Sequence, residues 1–208
     1  MGSKEKIVII GAGGFGGEVF HLINANQYQC IGFIDYKKAG KELPVPIIGH
    51  EDDIEQLVTT YSFSNCVIAI GDLDQRKNIY TKIEKFDIQF PAIVHSSVQS
   101  FSNEINIGTI IYPDVVVMND CKIGKFSLLN SGVTLGHEVV IGNFCTINPG
   151  AHLAGRITIG DGSFIGIGTS IKEKITIGKN AIIGAGSVVL NDVPDGATVY
   201  GVPARVAS

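Results

Sequence analysis

His137 and Glu138 stand side by side in "VTLGHEVVIG" and form a proton-handling pair. An imidazole exchanges protons near neutrality, and an adjacent carboxylate can orient the ring and raise its basicity, which is what a general base needs. A solvated histidine projecting from a sheet would leave the same trace, so the pair alone does not decide. A second constellation lies near the start. "GAGGFG" places Gly11, Gly13 and Gly16 in G-x-G-x-x-G spacing between an aliphatic run and a helix-like segment. Glycines there let the backbone approach a phosphate, and the helix N-terminus that follows favours the negative charge. Asp35 ends the next aliphatic run, at the offset of about 20 residues where an acid bonds a ribose hydroxyl in dinucleotide-binding folds. A tight turn followed by an acidic strand end is the plain alternative. The third run ends in "AIGDLDQRK", which brings Gly71 and Arg76 to the same carboxyl edge, although Arg76 reads equally as a solvated helix charge.

The other chemistry-bearing residues carry weaker signals. His21 and His50 fall at helix and loop positions and read as structural or solvated. His95 sits at a polar joint with no partner in the adjacent sequence. His152 closes the hexad "INPGAH" and reads as a surface residue within possible reach of a ligand. The four cysteines, Cys30, Cys66, Cys121 and Cys145, show no C-x-x-C pairing and no histidine at zinc spacing, so no metal site is expected. Each lies in an apolar stretch, where a thiol packs as a small hydrophobe.

Two kinds of element must position these residues. Over the first ninety-odd residues, strand and helix signals alternate: "KIVIIG", "GGEVFHLINAN", "CIGFID", "HEDDIEQLVTTY", "NCVIAIG" and "DQRKNIYTKIEKF". Short apolar strands alternating with helices predict βαβ units and a mainly parallel sheet, to which "DIQFPAIV" adds a last strand before the polar joint "HSSVQSFSNE". From Ile105 the period becomes six. Every sixth residue through Val189 is aliphatic, and four residues after each comes a Thr, Val, Cys, Ser, Ala or Ile. A parallel β-helix demands this pattern, since the first position points inward and the fifth fills the narrow space beside it. "IGKF", "IGNF", "IGDG" and "IGKN" recur eighteen residues apart, so three hexads make each coil of a triangular prism. An α-helix would not hold that register.

The fold class expected is therefore α/β plus β, with a half-Rossmann parallel sheet over residues 1–95 and a β-helix with a C-terminal tail over 96–208. His137, third in its hexad, is expected to project from the prism wall. "INPGAH", "IGIGTS" and "IGAGSV" stack on one another, and their small middle residues predict a shallow groove suited to a long, thin ligand arm; glycines that merely make corners are the alternative. The prism's open ends need covers, which the first domain and the tail "DVPDGATVYGVPARVAS" are expected to supply.

Composition narrows the function. In 208 residues the formal charge is −4, which gives no broad basic surface for nucleic acid. The longest purely aliphatic run is short, so no segment is expected to span a bilayer. "MGSKEK" lacks a signal-peptide core, and Lys6 spoils a myristoylation signal; a cytoplasmic protein is expected. Only one βαβαβ half precedes the hexads, whereas a dinucleotide needs two, so a mononucleotide or nucleotide-sugar fits better than NAD and an oxidoreductase is disfavoured.

The half-Rossmann opening "IVIIGAGGFGGEV", the hexads around "GHEVVIG", and the ending "GSVVLNDVPDGATVYGVPARV" resemble the bacterial sugar O- and N-acetyltransferases of the hexapeptide-repeat superfamily over nearly the whole chain. The resemblance implies a left-handed β-helix, a homotrimer, and active sites between neighbouring prisms. It implies that His137 is the catalytic base and Glu138 its supporting acid. Gly13, Gly14 and Phe15 would form the nucleotide-sugar loop, with Asp35, Tyr36 and Gly71 opposite. Acetyl-CoA would be contacted by Thr146, Gly155, Ile167 and Ala185. Phe15 and Thr146 depart from the pattern, since members often carry His at the first and some carry it at the second. The activity implied is acetyl-CoA-dependent N-acetylation of a nucleotide-linked 4-amino sugar for a bacterial surface glycan such as lipopolysaccharide. O-acetylation of a sialic acid is the nearest alternative, and a non-catalytic nucleotide-sugar-binding scaffold is one of a different class.

Overall fold

The computed structural model describes residues 4–24, 28–36, 43–101 and 103–207, the side chain of residue 24 excepted. The chain divides into two compact units, Met1–Ile93 and Val94–Ser208. The last two residues of the expected first helix lie outside the described residues.

The first unit is built from β1 (Glu5–Ile10), α1 (Gly14–Asn24), β2 (Tyr28–Ile34), β3 (Ile47–Gly49), α2 (Ile54–Tyr61), β4 (Asn65–Ile68) and α3 (Leu73–Ile83). Its sheet runs β3-β2-β1-β4 and every pairing is parallel. Ile7, Val8 and Ile9 on the interior strand β1 are fully buried, as expected of a parallel strand covered on both faces. The sequence pattern missed β3. It spans only three residues, and the prolines of "LPVPIIG" mask it; even so, the Pro46 carbonyl accepts from Phe33 N at 2.8 Å to start the pairing. Asp72 caps α3 by accepting from Gln75 N at 2.8 Å. The expected last strand "DIQFPAIV" divides in two. Gln89 bridges to Asn65 at the edge of the αβ sheet, while Ile93–Val94 opens the first coil of the β-helix.

The second unit is a left-handed parallel β-helix with three walls of five, eight and six strands among the described residues. Most strands are two residues long and pair with the strand eighteen residues on, as Leu128–Leu129 does with Thr146–Ile147 and that strand with Phe164–Ile165. The aliphatic residues at hexad position one are buried from Ile111 to Val189, and Ile105 is half-buried. The fifth positions are buried as well, and the polar ones are satisfied. Ser127 Oγ donates to Gly142 O at 2.8 Å, Ser163 Oγ to Gly178 O at 2.6 Å, and Thr109 Oγ1 to Gly124 O at 3.2 Å. Cys121 and Cys145 occupy the same position and donate through Sγ to Gly136 O and Gly160 O at 3.1 and 3.2 Å. These cysteines are packing residues. Cys30 and Cys66 are buried in the first unit, where burial pushes both thiols up, Cys30 to about 11.

The coil begins before the hexads become visible. "HSSVQS" belongs to it: His95 N donates to Ile111 O, and Gln99–Ser100 pairs with Val116–Val117. This pairing is offset by seventeen residues rather than eighteen, so Ser100 falls opposite Val117 and the six-residue count breaks there. At the other end the tail closes the prism. Thr198–Gly201 pairs parallel with Ile182–Ile183, Ala204–Val206 folds back antiparallel, and Val193 and Val199 are buried against the last coil.

Candidate active site

His137 lies on a corner rather than a wall. The coil turns at His137–Glu138, between the six-stranded sheet's Thr134–Leu135 and the five-stranded sheet's Val140–Ile141. Each coil turns there with a residue in the left-handed region: Asp120, Glu138, Arg156 and Lys174 have φ of 61°, 59°, 60° and 61°. The corner is tied coil to coil, since Glu138 N donates to Asn119 O at 3.0 Å and Arg156 N to His137 O at 2.8 Å. Equal backbone conformation at equal register stacks the side chains of 138 and 156. Glu138 Oε2 accepts from His137 Nδ1 at 2.8 Å and from Arg156 Nε at 2.8 Å.

The electrostatics follow from that geometry. Arg156 first, and His137 second, hold the Glu138 carboxyl below its usual range, so it stays ionised. A carboxylate can only accept, so Nδ1 carries the proton and the lone pair lies on Nε2. Nε2 has no partner among the described residues, and the His137 side chain is 51 % exposed. The ring lies against Gly155, the residue one coil on. Such an imidazole can take a proton from a group presented at Nε2.

The remaining histidines are otherwise engaged. His50 Nδ1 accepts from Asp52 N at 3.2 Å, His95 Nδ1 bonds Ser97 Oγ at 2.8 Å, and His152 Nδ1 bonds Thr134 Oγ1 at 2.9 Å. His21 is exposed, edge-on to Phe20.

A second constellation sits at the carboxyl edge of the αβ sheet. Gly11 follows β1 with φ of 107°, and a β-carbon there would stand 2.6 Å from Ala69 O, so only glycine fits. Asp35 Oδ2 accepts from Ala12 N at 2.6 Å. It therefore clamps the glycine loop, a role the sequence reading, which gave it a ribose hydroxyl, did not include. Gly13, Gly14 and Gly71 border open space, and Phe15 is half-buried. Tyr36 is 81 % exposed and meets the His50 ring edge-on at 5.4 Å. Asp35 and Tyr36 share a cleft of about 110 Å³ with Gly11, Glu51 and Gln75. Arg76 is not a solvated charge: it is 3 % exposed, and its Nη1 donates to Ile70 O at 2.9 Å and Gly71 O at 3.3 Å, bracing the loop after β4 from beneath.

The four residues expected along an acyl-carrier arm do not form one row. Ile167 and Ala185 are exposed and one coil apart, on the corner between the eight- and six-stranded walls. Thr146 is buried on the eight-stranded wall between Leu128 and Phe164, and Gly155 lies under His137. The stacked small residues make a corner rather than a wall, with Gly150, Gly168 and Gly186 at φ of 65° to 67° and open space above each. Arg156 was missed by the sequence reading. Adding eighteen to 138 would have found it.

The comparisons agree with this architecture. The PglD N-terminal domain model matches residues 6–83, and the bacterial transferase hexapeptide (six repeats) model matches 138–166 and 156–191. The acetyltransferase domain of PglB from Neisseria gonorrhoeae is 31 % identical with a TM-score of 0.91, over 98 % of this chain and all of that one, and has also been solved with acetyl coenzyme A. WeeI from Acinetobacter baumannii is 32 % identical with a TM-score of 0.83, over 98 % of this chain and 100 % of its own. PerB from Caulobacter crescentus, solved with CoA and GDP-perosamine, is 28 % identical with a TM-score of 0.92, over 98 % of this chain and 97 % of its own. Among the described residues no helix is long and apolar enough to cross a membrane. With a PglD-type domain joined to hexapeptide coils and an accessible imidazole on the coil corner, the chain belongs to the bacterial sugar acetyltransferases of the hexapeptide-repeat superfamily.

Proposed function

We propose that the protein is an acetyl-CoA-dependent N-acetyltransferase acting on the amino group of a nucleotide-linked 4-amino sugar, by direct transfer with His137 as general base. The observation that carries this reading is the imidazole itself, with Nδ1 tied to an ionised Glu138, no partner for Nε2 among the described residues, and the side chain half-exposed. The acceptor amine attacks the thioester carbonyl, and Nε2 takes the proton that the nitrogen sheds. The tetrahedral adduct collapses with cleavage of the C–S bond. The proton then passes from the imidazolium to the departing sulfur, leaving an amide and the CoA thiol. Holding both substrates together supplies the entropic share of the acceleration.

The nucleotide-sugar belongs at the carboxyl edge of the αβ sheet, the edge at which open α/β sheets take ligands. There the loop of Gly13, Gly14 and Phe15 leads into the N-terminus of α1 for the phosphates, opposite Asp35, Tyr36 and Gly71, with Arg76 bracing from beneath. Acetyl-CoA is assigned to Thr146, Ile167 and Ala185, with Gly155 beside the base. The ligand classes are supported by PerB, solved with CoA and GDP-perosamine, and by the PglB domain, solved with acetyl coenzyme A. The working form is a cytoplasmic homotrimer serving the synthesis of a bacterial surface glycan.

The test is CoA-thiol release measured against a panel of nucleotide-linked 4-amino sugars and free sialic acids. Turnover of an amino-sugar nucleotide is the expected result. Turnover of sialic acid alone would make the enzyme an O-acetyltransferase, and failure to bind acetyl-CoA in calorimetry would leave only a scaffold.

A further inference from the structure

Arg156 has a place in the site that the general acetyltransferase reading does not give it. We propose that Arg156 is a positioning residue for acyl transfer: it pins the Glu138 carboxylate and thereby sets the orientation of the His137 imidazole and the charge that its Nδ1 meets. The inference rests on His137 being the base.

Three observations carry it. First, a single oxygen, Glu138 Oε2, accepts from both His137 Nδ1 and Arg156 Nε, at 2.8 Å each. Glu138 is half-exposed, so holding one oxygen of its flexible side chain on the neighbouring ring costs conformational entropy. The Arg156 guanidinium, arriving from the next coil, supplies the second point that fixes it. Second, the backbone is left-handed at both positions, as at each coil of this corner, so equal register stacks the two side chains. A long cation there faces the carboxylate one coil back. Third, an exposed ion pair contributes little to stability, so stabilisation of the coil is a poor account of it.

Sharing Oε2 also has an electrostatic consequence. Arg156 offsets part of the carboxylate charge that His137 Nδ1 would otherwise meet in full. The other charged groups around this corner are Asp120 and Lys174, one coil to either side in the column of Glu138 and Arg156, and Glu173, one coil beyond Gly155 in the column of His137. The Asp120 carboxylate is engaged by Asn119 Nδ2 at 2.6 Å. Arg156 alone among these charges is bonded to Glu138.

The experiment compares Arg156→Gln, Arg156→Lys and His137→Ala in the full chain. It measures kcat, both KM values, the pH dependence of kcat/KM, and thermal unfolding. Arg156→Gln is expected to unfold at the parent temperature and to lose roughly 10-fold in kcat, less than the 10²- to 10⁴-fold of the base itself. Its acetyl-CoA KM should be unchanged, and the acid limb of its profile should move to higher pH. Arg156→Lys should recover part of both effects. A parental kcat and profile in Arg156→Gln, with His137→Ala inactive, would overturn the role of Arg156 and leave the base intact. Full turnover in His137→Ala would overturn the base, and Arg156 with it.

Discussion

Gly155 stands one coil on from His137, so close that a β-carbon added to it would lie 2.6 Å from His137 Nε2. Carbon and nitrogen do not approach so nearly without a bond, so even an alanine displaces the ring. The backbone of Gly155 is outside the left-handed region, and the substitution therefore tests space rather than strain. Gly155→Ala is expected to leave the coil folded and to swing the imidazole off Glu138. A misplacement of about 1 Å can cost roughly 10²-fold in turnover, and a loss on that scale with an unchanged unfolding temperature is the expected outcome. An alanine variant as fast as the parent would mean that the ring works equally well elsewhere.

Asp35 offers a test of the other half of the protein. Its Oδ2 accepts from Ala12 N at 2.6 Å and holds the glycine loop where a phosphate would be met. Asp35→Ala removes that clamp and should raise the KM for the nucleotide-sugar at least 10-fold more than that for acetyl-CoA; a hydrogen bond to a charged group is worth about 1.5–3 kcal/mol. Asp35→Asn keeps an accepting oxygen and should lie between. Equal rises in both constants would remove the nucleotide-sugar from this edge.

The two units differ in how far the sequence discloses them. In the coils from Ile111 to Val189, the second residue of each two-residue strand is buried and like environments recur, so aliphatic residues at a fixed spacing follow from geometry. That spacing disclosed the interior from Ile111 to Val189 and placed the small fifth-position residues correctly. It failed at Ser100, where one missing residue shifts the register, and it gave no sign of β3, whose three residues sit behind two prolines. The site was legible where its members are neighbours in sequence, as His137 and Glu138 are. Arg156 and Gly155 join it only through the eighteen-residue stack, and side-chain pairs across coils emerge only when residues are read in columns.

Three large exposed side chains motivate a test of the expected trimer. Phe164 and Ile182 project from adjacent strands of the eight-stranded wall, 44 % and 46 % exposed, and Ile167 stands exposed on the corner beside them. Contiguous apolar surface on a regular wall marks an interaction site, and a symmetric assembly of this chain supplies one. Sedimentation at micromolar concentration is expected to give a mass of three chains. Phe164→Lys combined with Ile182→Glu should lower that mass and the activity together. A parent protein that is monomeric and fully active would refute the trimer.

The last expectation concerns the base and its carboxylate. His137→Ala should lower turnover by roughly 10²- to 10⁴-fold, the scale for removing a positioned base, with acetyl-CoA affinity little changed. Glu138→Ala should cost less, because the carboxylate orients the ring without touching the amine. The pH dependence separates the two. The Glu138 carboxyl is held low, by Arg156 first and His137 second. A group lowered on folding contributes above its ordinary range and loses that contribution only as pH falls through the lowered value. Glu138 is therefore ionised throughout the neutral range and does not itself produce an acid limb of kcat/KM there. Glu138→Gln keeps an acceptor for Nδ1 but removes the charge that favours the imidazolium, so the acid limb should move to lower pH, opposite to its shift in Arg156→Gln. A limb that stays fixed in Glu138→Gln would show that the carboxylate charge does not tune the base. Near-parental turnover in His137→Ala would reduce the imidazole to a surface residue.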